Sequence, residues 1–137
     1  MGQGVRILVL CYEYPPVGGG GGVGAKQYAE AWARAGHTVC VLTGMAPERP
    51  KRTPVNGVEV VSVGLWAGRA RATATMVSMV SYLVGAIWHA VLNRPAFTRY
   101  EVINTHFVLP TGVVGHLVSR LSGRPNVLTI IGGDIYD

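Results

Sequence analysis

Short runs of branched apolar residues alternate with stretches of helical periodicity along nearly the whole chain, and that alternation leaves few architectures open. Val5-Arg6-Ile7-Leu8-Val9-Leu10 reads as a buried strand. After a loop from Cys11 to Gly22, interrupted by Pro15-Pro16, the period becomes helical from Val23 to Ala35. There Ala25, Tyr28, Ala29, Trp32 and Ala33 form one apolar face opposite Lys26, Gln27, Glu30 and Arg34, and Gly36 ends the helix. Thr38 to Thr43 and, after a polar, proline-bearing connection, Val58 to Val63 are the next strands. Glu101 to Asn104 is a fourth, and Pro110 then opens a helix whose core face is Val113, Val114, Leu117, Val118 and Leu121. Gly123 closes that helix, and Asn126 to Ile131 is a fifth strand. Strand, helix and strand in this order predict an α/β fold, a Rossmann-like parallel sheet with helices on both faces.

A chain of 137 residues, 49% hydrophobic and 14% charged, is long enough for one domain with a real core. Ligands of such sheets sit beyond the carboxyl ends of the strands. The search for a site therefore narrows to the loops beginning at Cys11, Thr105 and Gly132.

The first of these carries five consecutive glycines, Gly18, Gly19, Gly20, Gly21 and Gly22, then Val23 and Gly24. Without side chains, backbone N–H groups can approach an anion at the positive end of the following helix, so a phosphate-bearing ligand is expected. The plain alternative is a flexible loop with no ligand. Gly19, Gly21 and Gly24 satisfy G-x-G-x-x-G, but about eight residues separate the strand from the motif, and Thr43-Gly44 stands where an acidic residue is wanted. A nicotinamide site is therefore weakly supported. Ala25-Lys26-Gln27 lacks the Gly-Lys-Ser/Thr of a nucleotide-hydrolase phosphate loop, which excludes that class.

Charge is unevenly placed. Of 12 basic and 7 acidic residues, no acidic one falls between Glu59 and Glu101, where Arg69, Arg71, Arg94 and Arg99 all lie. Such a patch suits an anionic partner, but no interleaved aromatic pattern, zinc spacing or recognition helix points to nucleic acid. Residues 72–93 hold no formal charge. Met76, Val80, Leu83, Val84, Ile87 and Val91 line one face of this segment, and Ser78, Tyr82, Gly85 and His89 another. The simplest reading is a helix packed on the sheet; contact with a membrane surface comes second and a true span last. Cys11 and Cys40 fall in or beside strands, where cysteine behaves as a small hydrophobe. With no signal peptide, the expected setting is reduced and cytoplasmic.

Glu13-Tyr14-Pro15-Pro16, the glycine run and Ala35-Gly36-His37-Thr38-Val39 together resemble the start of glycosyltransferase family 4. Val102-Ile103-Asn104-Thr105-His106 resembles that family's fourth strand ending in a histidine, and Leu128 to Asp134 its fifth strand and following loop. The family consists of retaining GT-B enzymes, two Rossmann-like domains facing across a cleft. The resemblance implies that residues 1–137 form the N-terminal, acceptor-side domain, incomplete in its last strands, while the nucleotide-sugar domain is absent from this sequence. A fragment of this kind is expected to be inactive alone.

By the same resemblance, Gly18 to Gly22 approach the donor diphosphate and His106 is catalytic, facing the transferred sugar. Tyr14, Lys26, Gly132, Gly133 and Asp134 line the cleft. His37 lies at the opposite end of the sheet and is structural. The family commonly has a histidine before the Gly-x-Asp segment, where this chain has Ile131, so His106 is the sole imidazole expected in a site loop. The implied reaction is a metal-independent, hexosyltransferase-type transfer through an oxocarbenium-like transition state, with no cofactor beyond the nucleotide-diphosphate sugar. The acceptor is unspecified, with cell-envelope glycan synthesis the suggested setting. Peripheral contact with an anionic membrane at the inner face is the added expectation. The competing class is a non-catalytic module binding anions or membrane surfaces through Arg69, Arg71, Arg94 and Arg99.

Overall fold

The computed structural model describes residues 4–16, 20–46, 49–64, 76–109 and 111–130. In chain order the elements are β1 (Arg6–Leu10), α1 (Gly20–Arg34), β2 (Thr38–Gly44), β3 (Arg52–Val55), β4 (Val58–Val63), α2 (Met76–Leu92), α3 (Arg94–Phe97), β5 (Val102–His106), α4 (Thr111–Ser122) and β6 (Asn126–Thr129). The strands form one sheet in the order β3-β4-β2-β1-β5-β6, parallel throughout except for β3.

Alternation along β1 divides the interior in two. Ile7 and Val9 face α1, where Ala25 and Ala29 pack among Val39, Val41, Val58 and Val60. Leu8 and Leu10 face the other way, toward Tyr82, Ala86 and Ala90 of α2 and Val114 and Val118 of α4. Because both sheet faces are covered, the inner strands read as unbroken apolar runs. Each such side chain, fully buried, contributes about 1.5–3 kcal/mol. Helices on both faces of a Rossmann-like sheet are thus observed as expected.

Four local features depart from the sequence reading. The connection before β4 contains a strand, β3, joined to β4 by Asn56-Gly57, whose φ values of 52° and 82° make the left-handed pair of a two-residue hairpin. Pro54 is tolerated there because β3 is an edge strand. Helix α1 begins at Gly20, three residues before Val23, so part of the glycine run is its first turn. Strand β5 continues through His106, and β6 stops at Thr129.

The fourth departure concerns α2, which packs on the sheet with the face opposite to its most apolar one. Tyr82, Ala86 and Ala90 are buried, whereas Met76, Val80, Val84, Trp88 and Val91 are 75%, 53%, 62%, 66% and 53% exposed. Close approach explains the choice. A Cβ on Gly85 would lie 2.5 Å from the Gly64 amide nitrogen, so α2 meets the end of β4 at a distance that only glycine at position 85 allows. The Tyr82 hydroxyl donates to the Leu42 carbonyl at 3.1 Å, which pairs its polar end inside the core. No helix among the described residues is long and apolar enough to cross a membrane.

Candidate functional site

The carboxyl ends of β1, β2 and β5 share one rim, which brings together the loop after Cys11, the start of α1 and the residues after Thr105. Gly20, Gly21 and Gly22 form the first turn of α1, which carries no acidic residue of its own and packs against the buried Glu13. Gly21 and Gly22 are required by packing as well, while Gly20 has open space around it. A Cβ on Gly21 would overlap the Phe107 ring, and one on Gly22 would lie 3.0 Å from the Glu13 carbonyl oxygen. The first turn can therefore sit low against the rim, where the positive end of the helix dipole lies.

His106 ends β5 and is 1% exposed. Its ring centroid is 6.2 Å from that of Tyr28 on α1. Neither ring nitrogen has a hydrogen-bond partner among the described residues. Burial lowers its pKa, so the imidazole is neutral, with one donor and one acceptor uncommitted. The next residue, Phe107, has φ 75°, a left-handed conformation that is costly for an aromatic residue. In exchange its ring covers Gly21 and lies 4.9 Å from Tyr12. The described glycines of the run and His106 are thus joined across one rim through Phe107.

Beneath the loop lies a residue the sequence did not single out. Arg49 is 9% exposed. Its Nη1 donates to the carbonyls of Tyr14 at 3.2 Å and Pro15 at 2.8 Å, its Nη2 to Gly44 at 2.6 Å, and its Nε to Ser62 Oγ at 3.0 Å. One guanidinium thereby ties the loop after β1 to β2 and β4. Burial lowers its pKa, since only neutral oxygens accept these bonds. Flanked by prolines in a polar connection, it reads in the sequence as a solvated charge.

Tyr14 belongs to the core cluster under the rim, 2% exposed. Burial raises its pKa, so the hydroxyl stays protonated, and it has no partner. Lys26 stands one turn into α1, 3.9 Å from Glu30. Cys11 donates to the Glu13 carbonyl at 2.7 Å, and burial pushes its thiol up to about 12. Cys11 and Cys40 are both free. His37, at the other end of the sheet, accepts the Val5 amide at 3.0 Å and clamps the start of β1. Gly18, Gly19, Gly132, Gly133 and Asp134 lie outside the described residues, as do Arg69 and Arg71. No three His, Cys, Asp or Glu side chains gather to hold a metal among the described residues.

The distribution of unpartnered polar atoms separates this rim from the rest of the molecule. Among the described residues, the buried side-chain atoms without a hydrogen bond are Tyr14 Oη, Thr43 Oγ1, Asn104 Oδ1, His106 Nδ1 and Nε2, and Thr111 Oγ1. Every one belongs to the carboxyl half of β2 or β5, or to the loop or helix that follows β1 or β5. Each such orphan costs about 1–3 kcal/mol, and proteins keep very few. Their concentration at the carboxyl end of a parallel sheet, where ligands of such folds sit, makes this rim the candidate site. Thr43, Asn104 and Thr111 gave no sequence signal, because threonine and asparagine near strand ends are ordinary.

Comparison with known proteins adds three findings. A family model described as glycosyl transferase 4-like domain matches residues 19–137. A sucrose-phosphate synthase structure from Thermosynechococcus elongatus matches at TM-score 0.62 and 16% identity over 95% of this chain and 65% of that one. The C-terminal domain of a hydrogenase from Pyrococcus furiosus matches at TM-score 0.56 and 16% identity over 93% of both. Such identities establish a shared fold, and a synthase and a hydrogenase domain on one fold show how little chemistry the fold carries. A search among curated protein sequences gives no match.

Proposed function

The chain belongs to the glycosyl transferase 4-like domain family, and from that premise we propose that it is the acceptor-side domain of a retaining glycosyltransferase. In this reading it works with a nucleotide-sugar domain outside these 137 residues. A sugar leaves a nucleotide-diphosphate donor and joins an acceptor hydroxyl, without a metal. The observation that carries the reading is the set of orphaned polar atoms around His106, beside the glycine first turn of α1.

The residues divide the work by their chemistry. The first turn of α1, at Gly20, Gly21 and Gly22, places N–H groups and the positive end of the helix dipole where donor phosphates carry charge. Neutral His106 offers a donor and an acceptor to hydroxyls of the transferred sugar, orienting it without adding a charge. Arg49 holds the loop at Tyr14 and Pro15 against β2, and so positions the rim. Tyr14 and Lys26 support it from below and from the helix.

The test uses a chain extended to include its nucleotide-sugar domain. Given a matching donor and acceptor it releases nucleoside diphosphate; no release across a broad panel contradicts the reading. His106→Ala then lowers turnover by about 10²-fold or more while the far-ultraviolet circular dichroism stays unchanged. An unchanged rate removes His106 from the site. The 137-residue chain alone is expected to be inactive. Work at the inner face of a membrane, in envelope glycan synthesis, is the setting this reading favours. The second reading, a non-catalytic module for anionic surfaces, draws support from the outer face of α2 and the neighbouring arginines.

A further inference from the structure

Among the described residues, nothing packs on the outward face of α2. Met76, Val80, Val84, Trp88 and Leu92 recur every four residues along a single stripe, 75%, 53%, 62%, 66% and 62% exposed, with Val77 and Val91 beside it. At 17 residues the helix is about 26 Å long, so the stripe is a contiguous apolar surface rather than scattered single residues. The polar and small face that would ordinarily meet water is instead turned to the sheet by Gly85, Ala86 and Ala90.

The helices of this layer carry only basic charges, and Glu59, which lines the cavity beneath their ends, is paired with Arg52. Helices α2 and α4 lie side by side, and α3 bridges their ends, with Arg94 Nε 3.4 Å from the Leu121 carbonyl. Arg94, Arg99, Arg120 and Arg124 are all exposed around that end. From Met76 to Ile130 the only carboxylate is Glu101, and its Oε2 already accepts the Arg6 amide at 2.8 Å. An apolar helix face bordered by arginines, with an exposed tryptophan in the stripe, suits an interface between acyl chains and anionic headgroups. A second copy of the chain would bring the same sign of charge to the arginines; a phosphate-bearing headgroup layer brings the opposite one.

We propose that the outer face of α2, with the arginines of α3, α4 and their flanks, docks this domain on an anionic lipid bilayer. The helix lies in the interface plane, Trp88 and the valines enter the acyl boundary, and the guanidinium groups contact phosphate oxygens. Nothing in this step depends on sugar transfer, so its failure would leave that reading standing.

The experiment is flotation of the 137-residue chain with vesicles of phosphatidylcholine alone or mixed equally with phosphatidylglycerol, at low and physiological salt. The expected result is binding to the mixed vesicles at least tenfold stronger than to the neutral ones, weakening with salt, with a blue shift of tryptophan emission that Trp88→Phe abolishes. Val84→Ser with Trp88→Ser lowers binding at least tenfold, and Arg99→Ser with Arg120→Ser does so only on mixed vesicles, on the order of tenfold. Val23→Ser, an exposed valine on α1, leaves binding unchanged and controls for general loss of hydrophobicity. Equal binding to both vesicle types, no binding, or a dimer in solution that the α2 variants dissociate while lipid is ignored would each overturn the proposal. Circular dichroism confirms that each variant is folded, as substitutions at exposed positions predict.

Discussion

The two ends of the sheet solve the same problem in opposite ways. At the amino end the strand starts are tied off: the Val5 amide goes to His37 Nδ1 at 3.0 Å and the Arg6 amide to Glu101 Oε2 at 2.8 Å. Thr38 donates back to the Val5 carbonyl at 3.0 Å. At the carboxyl end, histidine, tyrosine, threonine and asparagine atoms are buried with nothing to bond. One end has been satisfied for stability, and the other keeps buried polar atoms with no partner among the described residues. His37 and His106 make the contrast residue by residue: the first is a clamp and the second is uncommitted.

The strongest way to break that contrast is to remove the one cation that holds the open end together. Arg49→Met deletes four hydrogen bonds and leaves several carbonyls near the rim without a donor, so a loss of about 3 kcal/mol or more is expected in urea unfolding. A loss below about 1 kcal/mol would mean that water replaces the guanidinium and that the rim is looser than described.

Next in size is Gly85→Ala, which forces α2 off the Gly64 backbone and should cost about 1–3 kcal/mol, whereas Val84→Ala, one residue away and 62% exposed, should stay within about 0.5 kcal/mol. The reverse order would show that α2 presents its other face to the sheet.

Smaller, and of opposite sign, is Thr43→Val. The hydroxyl is buried and unbonded, so a methyl of the same shape should leave stability unchanged or raise it by up to about 1 kcal/mol, while the matching deletion at the paired end, His37→Ala, lowers it by about 1 kcal/mol. Destabilisation by Thr43→Val would reveal a partner for the hydroxyl and remove it from the orphan set.

The smallest effect is on pH. Burial lowers the pKa of His106, so the unfolded chain takes up a proton near pH 6.5 while the folded chain does so only at lower pH. Between those values the unfolded state binds more protons. Stability is therefore full above about pH 6.5 and falls progressively as pH drops below it. His89, lowered mainly by burial and then by Arg52, acts in the same direction. Denaturation midpoints for the natural chain and His106→Gln at pH 7.5 and 5.5 should show a shallower dependence in the variant; equal slopes would assign the effect to His89.

Much of the fold was legible because periodicity survives in any strand or helix buried on a known face. β1, β2, β4 and the core face of α1 follow from apolar runs and spacing. β3 escaped because Pro54 and its charged neighbours hide a strand, although Asn56-Gly57 carried the hairpin signal. The inward face of α2 could not be read from hydrophobicity, since the deciding quantity is the approach of Gly85 to Gly64, a contact between distant glycines. For the site, the glycine run and His106 were visible as residue types at strand ends. Arg49 and Phe107 were not, because a buried guanidinium and a left-handed phenylalanine exist only through the contacts that surround them.

The central claim is that the open end of the sheet is a site for a diphosphate-bearing ligand. Titrating inorganic pyrophosphate into the 15N-labelled chain and following backbone amide shifts tests it most directly. The account predicts saturable shifts at Gly20, Gly21 and Gly22 and around His106, with Val5 and His37 unmoved. Shifts confined to the amino end or to the arginines beside α2, or none at all, would contradict it.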